Sequence, residues 1–281
     1  GRPSRRTMKT PHAAIYASFA SSSAGNSFLI QSQSTRILAD IGISAKKTEE
    51  SLAACGLSCV ELDGIVLTHE HIDHVRGIGT LLAKKPYRGP VFTTRGTCES
   101  VAQKYPQTEG KQFEIVRSGD RFFVGDIEVN VFRISHDAAE PVGYTFQKGN
   151  RKIAIVTDTG CVTEEIFAAI RDADILVIEA NHEKNILLCG KYPYPVKHRI
   201  LSDQGHLSNE ATGQVLSRYL TEFEGSHRPE VLLAHLSKDN NSPAQAMLTI
   251  RNILEENGYY LGKNLSMEVA QREGIGRLLT I

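Results

Sequence analysis

The sequence lacks several features that mark common classes of protein. No apolar run approaches the roughly 20 residues that span a bilayer, and the basic start is followed by no signal-peptide pattern, so we expect a soluble, cytoplasmic protein without membrane contact. The five cysteines include no Cys-x-x-Cys pair, which favours reduced thiols over disulfides. The 32 basic and 32 acidic residues balance, which excludes a surface coated in positive charge but not a local basic groove.

Two motifs of nucleotide-binding and hydrolytic proteins are also missing. No Gly-x-x-x-x-Gly-Lys loop is present to hold a phosphate, and Ser208 lies in no Gly-x-Ser-x-Gly turn that would present a nucleophile. The chain has 281 residues without a tract of low complexity, which is enough for one well-buried domain. We expect residues 13–281 to form that single domain and residues 1–12 to be a disordered or vector-derived tail.

Segments with the patterns of strands and helices alternate along the chain. The predicted strands are Ile15–Phe19, Phe28–Gln31, Arg36–Asp40, Gly64–Thr68, Ile127–Ile134, Val142–Phe146, Lys152–Thr157, Ile175–Glu179 and Val231–Ala234. The predicted helices are Ala45–Ala54, Val75–Lys84, Gly96–Lys104, Glu164–Asp172, Asn209–Phe223 and Pro243–Asn257. Ser242 and Thr163 have the chemistry of helix N-terminal caps. This order favours an α/β fold with two sheets packed face to face and helices outside, a four-layer αββα sandwich.

The hexapeptide His69-Glu70-His71-Ile72-Asp73-His74 is the strongest chemical signal, and it follows a predicted buried strand. Residues two apart in an extended turn point the same way, so His69 and His71 can converge on one metal ion. Asp73 and His74 are displaced into a helix and can serve a second ion. A lone histidine is usually a solvated or satisfied polar residue, but three imidazoles and a carboxylate in six residues favour metal binding.

Three further candidate ligands follow predicted strands. His136 comes after an alternating strand, Asp158 after Lys152–Thr157, and His235 directly after Val231–Ala234. Side chains at the same edge of a sandwich are what a binuclear site requires. Asp158 in Thr-Asp-Thr-Gly has an equally simple interpretation as a turn or capping residue when it is taken alone.

The pattern His-x-His-x-Asp-His, followed by a single His, an Asp after a strand and a last His, resembles the metallo-β-lactamase superfamily. Finer segments resemble its YycJ/WalJ (VicX) branch of nuclease-like hydrolases, which is related to RNase Z and RNase J. These segments are Ser21–Ser27, His136–Tyr144, Thr157–Gly160, Glu179–His182, Asp203–Glu210 and Leu233–Asn241. The resemblance implies the αββα metallo-β-lactamase sandwich and a phosphodiesterase acting on nucleic acid, most similar to a DNA exonuclease.

The resemblance also implies roles for the candidate ligands. One ion would be held by His69, His71 and His136, the other by Asp73, His74 and His235, with Asp158 bridging and Asp73 also counted as catalytic. Two divalent ions, Zn²⁺ or Mn²⁺ with Fe²⁺ as a further candidate, suit in-line displacement at phosphorus by a metal-bridging hydroxide. Asp40 would orient a ligand or its loop from behind. Asp158 stands where true β-lactamases of the family place a cysteine.

His206 resembles the RNase Z histidine that protonates the leaving group, and Glu179 matches a glutamate that supports it. A carboxylate raises the pKa of an imidazole and orients it, so the pairing suits a proton donor. The alternative is a histidine at the start of a helix that only makes local hydrogen bonds. His182 lies near the same predicted strand edge, and a rim position is as reasonable for it as a functional role.

The segment from 181 to 204, interpreted as a loop, is rich in basic and aromatic residues. Lys197 and Arg199 are the candidate substrate-binding residues, because cations follow phosphates and aromatic rings stack on unpaired bases. The tyrosines of this segment have the alternative of packing on the core. Single-stranded DNA or DNA ends are the favoured partner.

Two other functions remain open at this point. A small-molecule hydrolase of the same fold would act on a thioester, a lactone or a cyclic phosphodiester. A non-catalytic metal-binding partner of a two-component signalling system is the third hypothesis, because members of the branch are often encoded beside such systems. A proton donor at His206 argues against the thioester reaction, and an intact ligand set argues against a non-catalytic role.

Overall fold

A computed structural model describes residues 16–22, 25–84, 86–270 and 279–280, and it describes side chains for 25–84 and 86–270. The predicted tail, residues 1–12, lies outside the described residues. The single domain over 13–281 stays a prediction.

The first sheet contains seven strands among the described residues. They are β1 (Tyr16–Ser22), β2 (Gly25–Gln31), β3 (Arg36–Ala39), β4 (Gly64–Val66), β5 (Val91–Thr93), β6 (Phe113–Ile115) and β14 (Leu279–Thr280). Their order across the sheet is β14-β1-β2-β3-β4-β5-β6. The strands β3 to β6 run parallel, so β3 and β4 end at the same edge of the sheet.

Within the described part of the chain, the second sheet also contains seven strands. They are β7 (Arg121–Val124), β8 (Ile127–Arg133), β9 (Val142–Lys148), β10 (Arg151–Val156), β11 (Ile175–Glu179), β12 (Glu230–Ala234) and β13 (Ser266–Val269), in the order β13-β12-β11-β10-β9-β8-β7. The strands β10 to β13 are parallel, and β7 to β10 pair antiparallel. The ends of β10, β11 and β12 therefore lie side by side.

Nine α-helices occur among the described residues. They are α1 (Ala45–Ala54), α2 (Ile72–Val75), α3 (Ile78–Lys84), α4 (Arg95–Lys104), α5 (Glu164–Ile170), α6 (Lys184–Cys189), α7 (Tyr194–Leu201), α8 (Asn209–Thr221) and α9 (Pro243–Glu256). Among the described residues, none of these helices combines the length and apolarity needed to cross a bilayer. The predicted caps are present: Ser242 accepts a hydrogen bond from the Gln245 amide, and Thr163 accepts one from the Ile166 amide.

The alternation of side chains along each strand produces the four layers. Ile30 of β2 and Ile153 of β10 belong to one buried cluster formed by residues of both sheets. Leu29 points to the other face of the first sheet and packs with Leu52 of α1 in a second cluster, while α5, α8 and α9 cover the second sheet. Fully burying one such side chain stabilises the fold by about 1.5–3 kcal/mol. The layers are helix, sheet, sheet and helix, as predicted.

Two predictions of secondary structure were wrong. The helix expected over Val75–Lys84 is split into α2 and α3, and Gly77 lies between them, where an added Cβ would lie 2.4 Å from the Ile43 carbonyl oxygen. The segment interpreted as a loop between 181 and 204 contains α6 and α7. Helix α7 escaped prediction because none of its residues is buried, so its sequence carries no buried apolar stripe.

Candidate metal centre

The hexapeptide of candidate metal ligands, residues 69–74, leaves the first sheet after β4 and enters α2. His71 is the N-terminal cap residue of that helix, with extended backbone (φ −61°, ψ 147°), while Asp73 and His74 lie within it. The Ile41 amide donates a hydrogen bond to the His74 carbonyl over 2.9 Å. A Cβ at Gly42 would lie 1.7 Å from the Asp73 carbonyl oxygen, so only glycine permits this approach of α2 to the end of β3. The turn thus brings both halves of the motif to the sheet edge.

Three residues of the centre have left-handed backbone one or two residues after the end of a strand. Asp40, Asp158 and His235 have φ values of 63°, 56° and 56°. This conformation is unfavourable for residues with a Cβ, by roughly 1–2 kcal/mol, and it persists where surrounding contacts hold it. For Asp158 and His235 the turn places the side chain in a candidate ligand group. For Asp40 it places the carboxylate against the ring of His74.

The first ligand group consists of His69, His71 and His136, whose nearest ring nitrogens lie within 4.8 Å of one another. Burial lowers the pKa of His69 well below its usual value and lowers that of His136. Both rings are therefore neutral at pH 7, which is the form that binds metal. The His136 Nδ1 atom lies 3.1 Å from the Gly205 carbonyl oxygen, which leaves Nε2 to face His71.

The second ligand group consists of Asp73, His74, Asp158 and His235, again with donor atoms within 4.8 Å. Burial alone would lower the pKa of His74 and His235, but the carboxylates around them, led by Asp158, raise it well above the usual value. His74 Nε2 lies 2.8 Å from Asp158 Oδ2. His235 Nε2 lies 3.2 Å from Asp73 Oδ2. The clustered negative charge of this group favours a cation.

The donor set fits divalent metal ions. His69 Nε2 is buried and has no hydrogen-bond partner among the described residues, although an unpaired buried nitrogen is unfavourable. Asp158 Oδ1 lies 3.8 Å from His136 Nε2 and 3.5 Å from His235 Nε2, so this carboxylate stands between the two ligand groups. Imidazole and carboxylate are ligands that Zn²⁺ and Mn²⁺ accept.

Asp40, predicted to support the candidate ligands, contacts the ring of His74. Its Oδ2 atom lies 2.7 Å from His74 Nδ1 and accepts a hydrogen bond of 2.8 Å from the Thr68 hydroxyl. The Thr68 amide donates to Oδ1 over 2.8 Å. These contacts fix the His74 ring so that Nε2 faces the centre.

Glu179, the last residue of β11, is fully buried beside the second ligand group. Its Oε2 atom lies 2.7 Å from His206 Nδ1 and 2.8 Å from His235 Nδ1, and its Oε1 accepts from the Leu207 amide. Burial alone would raise the pKa of Glu179, but the two imidazoles lower it to about 2. Glu179 in turn raises the pKa of His206, against the effect of burial. His206 is therefore held with Nε2 directed away from the carboxylate.

The other predicted residues have different surroundings. Arg199 lines the cleft and forms an ion pair with Asp137, with Nη2 to Oδ1 at 2.9 Å. Lys197 does not line it, and its ammonium group donates to the Leu188 carbonyl over 2.7 Å. His182 is buried rather than on a rim, and burial lowers its pKa to about 4, so it is neutral at pH 7.

A cleft of about 480 Å³ opens onto both ligand groups. Sequence reasoning missed four residues around it. Asn26 Nδ2 lies 3.2 Å from His74 Nε2, and Gly42 admits the α2 backbone. Ser100 and Lys104 of α4 line the cleft wall. The four-residue spacing of Ser100 and Lys104 places them on one helix face, but nothing in the sequence indicates which way that face points.

Comparison with known proteins assigns the family. A family model described as a β-lactamase superfamily domain matches residues 35–222. Exodeoxyribonuclease YycJ of Bacillus anthracis is 38% identical over 244 residues, which cover 87% of this chain and 90% of that protein. The chain belongs to the YycJ/WalJ branch of the metallo-β-lactamase superfamily. Exodeoxyribonuclease WalJ of Streptococcus pneumoniae strain D39, in the same branch, is 37% identical over 243 residues, covering 86% of this chain and 88% of WalJ.

A solved structure supports the fold of this metallo-β-lactamase superfamily member. The metallo-β-lactamase fold protein YhfI from Bacillus subtilis superposes with a TM-score of 0.68 at 16% identity, covering 94% of this chain and 99% of YhfI. At this identity the likeness shows the fold alone. It confirms the αββα sandwich predicted from the sequence.

Proposed function

We propose that the protein is a binuclear metal-dependent phosphodiesterase that acts on nucleic acid as a DNA exonuclease. The relatives named exodeoxyribonuclease, at 38% and 37% identity over most of both chains, support the reaction and the substrate class. The observation that carries the proposal is the position of His206, whose Nδ1 lies 2.7 Å from Glu179 in the same cleft as both ligand groups. A proton donor beside two metal positions suits phosphodiester cleavage.

Each of the two ligand groups would hold one metal ion. His69, His71 and His136 would hold one divalent ion, Asp73, His74 and His235 the other, and Asp158 would bridge them. When bound, two such ions supply a nucleophile at neutral pH and stabilise charge on the phosphoryl oxygens. Asp40 fixes the orientation of the His74 ring, and the Gly205 carbonyl fixes that of the His136 ring.

His206 would protonate the leaving oxygen of the cleaved ester. Its Nδ1–H is bound by Glu179, so the Nε2–H is the proton available to a substrate. Glu179 raises the pKa of His206 above its usual value, which favours the protonated ring, and a strand or sugar leaving as an alkoxide needs such a proton. A thioester hydrolase would have less use for this donor, so the thioester form of the small-molecule alternative has less support.

Several finer features rest on the resemblance to the YycJ/WalJ branch and on residue chemistry. The ligand set accepts Zn²⁺, Mn²⁺ or Fe²⁺, and the order of intrinsic affinities does not select among them. We include in the proposal a preference for DNA ends or single strands and a cytoplasmic location. The link to two-component signalling stays a prediction drawn from the resemblance alone.

End-labelled DNA and RNA substrates test the proposed function. The metal-loaded protein should release nucleotides from DNA ends and hydrolyse bis-p-nitrophenyl phosphate, and His69→Ala and Asp73→Ala should abolish both reactions. His227→Ala is the matched control, because His227 is exposed at the opposite end of β12 from His235. Absence of nuclease activity in the loaded wild-type protein, or full activity in either ligand variant, would refute the proposal.

A further inference from the structure

One face of α4 forms a wall of the cleft. Gly96, Ser100 and Lys104 follow one another at intervals of four residues and therefore share a face of the helix. At one end of this face a Cβ on Gly96 would lie 2.9 Å from the Cβ of Glu140, so the helix packs closely on the loop that follows His136. At the other end, Ser100 and Lys104 line the cleft.

Hydrogen bonds fix α4 in this position. The Gly96 amide donates to Glu140 Oε2 over 2.9 Å, and the Thr94 hydroxyl donates to the Glu140 carbonyl over 2.8 Å. In the same loop Asp137 binds Arg199, and the Ala139 amide donates to Glu70 Oε1 over 2.8 Å. The helix face is thus tied to the segment that carries a candidate metal ligand.

Among the described residues that line the cleft, Lys104 is the lysine or arginine that forms no ion pair with a carboxylate. Its side chain is exposed, and no ion pair involves it among those residues. The other cation of the lining, Arg199, is neutralised by Asp137. The remaining charged groups include Glu70, Asp73 and Asp158, which repel a polyanion unless metals are bound.

We propose that Lys104 and Ser100 form a binding subsite for a phosphate next to the scissile one on a nucleic acid strand. This inference rests on the proposed function and assigns part of its substrate binding to α4. A lysine ammonium and a serine hydroxyl are common donors to phosphate oxygens, and they position a strand without reading its sequence. Because the two donors share one face of α4, the helix fixes their positions relative to each other.

A purely structural role would have a different signature. Lys104 lies in the last turn of α4, where a positive charge stabilises the helix C-terminus. Loss of that contact would change the melting temperature and affect all substrates equally. Loss of a phosphate contact would raise the KM for DNA, reduce the salt dependence of binding, and affect a small ester much less.

The test uses the metal-loaded protein with Lys104→Ala, Lys104→Arg and Ser100→Ala. For Lys104→Ala we expect the KM for single-stranded DNA to rise roughly threefold to tenfold, with a several-fold smaller effect on bis-p-nitrophenyl phosphate. The slope of log affinity against log salt should fall by about 0.7, the value for one phosphate contact on a single strand. Lys104→Arg should restore most of the affinity, and Ser100→Ala should raise the KM less than Lys104→Ala.

Lys263→Ala is the matched control. Lys263 is also an exposed lysine, but it precedes β13 and so lies at the opposite end of the second sheet from the cleft. Its loss should leave the KM and the salt slope as in the wild type. An unchanged KM and salt slope in Lys104→Ala, with wild-type DNA cleavage intact, would overturn the subsite alone. Absence of DNA cleavage in the wild type would instead overturn the proposed function.

Discussion

His206 and His235 share one carboxylate oxygen. The Nδ1 atoms of both rings lie within hydrogen-bond distance of Glu179 Oε2, at 2.7 and 2.8 Å, and the two rings stack with their centroids 5.2 Å apart. One of these histidines is a candidate metal ligand and the other a candidate proton donor. The orientation of both groups therefore depends on a single buried side chain at the end of β11.

Glu179→Gln should impair metal binding and proton donation together. An amide is neutral and its NH₂ group cannot accept hydrogen bonds, so it cannot serve the two imidazoles at one position and accept from the Leu207 amide at the other, as the carboxylate does. Loss of support behind a ligand typically lowers metal affinity or activity about 10–100-fold. We expect Glu179→Gln to show weaker metal affinity by chelator competition and a lower kcat. His206→Ala should keep its metals, and loss of metal from that variant would contradict this division.

His206→Ala should slow the hydrolysis of esters with poor leaving groups far more than that of activated esters. General acid catalysis contributes about 10²–10⁴-fold where the leaving group needs a proton, and little where the leaving group is already a stable anion. The measurement is kcat for a series of aryl and alkyl phosphodiesters, plotted against the leaving-group pKa. For the variant, kcat should fall more steeply with rising leaving-group pKa than for the wild type. Equal slopes for the two proteins would remove the assignment of His206 as the proton donor.

Asp40→Asn should weaken metal binding without disturbing the backbone. Asparagine tolerates the left-handed conformation that residue 40 adopts, with φ at 63°, so the substitution isolates the loss of the carboxylate behind His74. We expect metal affinity to fall about 10–100-fold. Asp63→Asn is the control, because Asp63 accepts from the Arg36 amide at the opposite end of β3 and β4. Equal metal affinity in the two variants would refute the role of Asp40.

Asp126→Asn should lower stability in a pH-dependent manner. Partial burial alone would raise the pKa of Asp126, but hydrogen bonds from Ser32 and Ser34 and the ammonium of Lys148 lower it overall. A folded pKa below the unfolded one stabilises the protein above the unfolded value, and this contribution is lost as the pH falls through the folded pKa.

The size of this effect is about 1 kcal/mol at pH 7, after allowing for the solvent that reaches the Asp126 side chain. Melting temperatures of metal-free wild type and Asp126→Asn should differ at pH 7. The difference should begin to shrink as the pH falls below about 4, the unfolded pKa of aspartate, and should keep shrinking toward the lower folded pKa. A difference in melting temperature that stays constant from pH 7 to pH 3 would contradict the prediction.

Much of the fold follows from local patterns. The alternation in β8 and the buried runs of β2 and of β10 to β12 predict strands within a few residues of the observed bounds. The short strands β5, β6 and β13 have only three or four residues each, too few to show a period. Helix α7 has no buried residue and contacts its surroundings through Lys197, which donates to the Leu188 carbonyl, and Arg199, which binds Asp137. Such contacts leave no periodic signal in the sequence.

The candidate site was predictable where its residues follow strands. The hexapeptide, His136, Asp158 and His235 could be found from residue type and position, and the structure brings them together. The double contact of Glu179 was not predictable, because it depends on how β11 and β12 align in the sheet. Gly42 admits the α2 backbone and Lys104 lines the cleft because elements far apart in sequence pack closely together. The sequence alone does not reveal such packing.

The number of metal ions bound per chain tests the central claim most directly. Elemental analysis of the purified, metal-loaded protein should give two divalent ions per chain for the wild type, and about one for His71→Ala, which disrupts only the first ligand group. A single ion per wild-type chain, with the same value in His71→Ala, would contradict a binuclear centre and the division of the ligands between two ions.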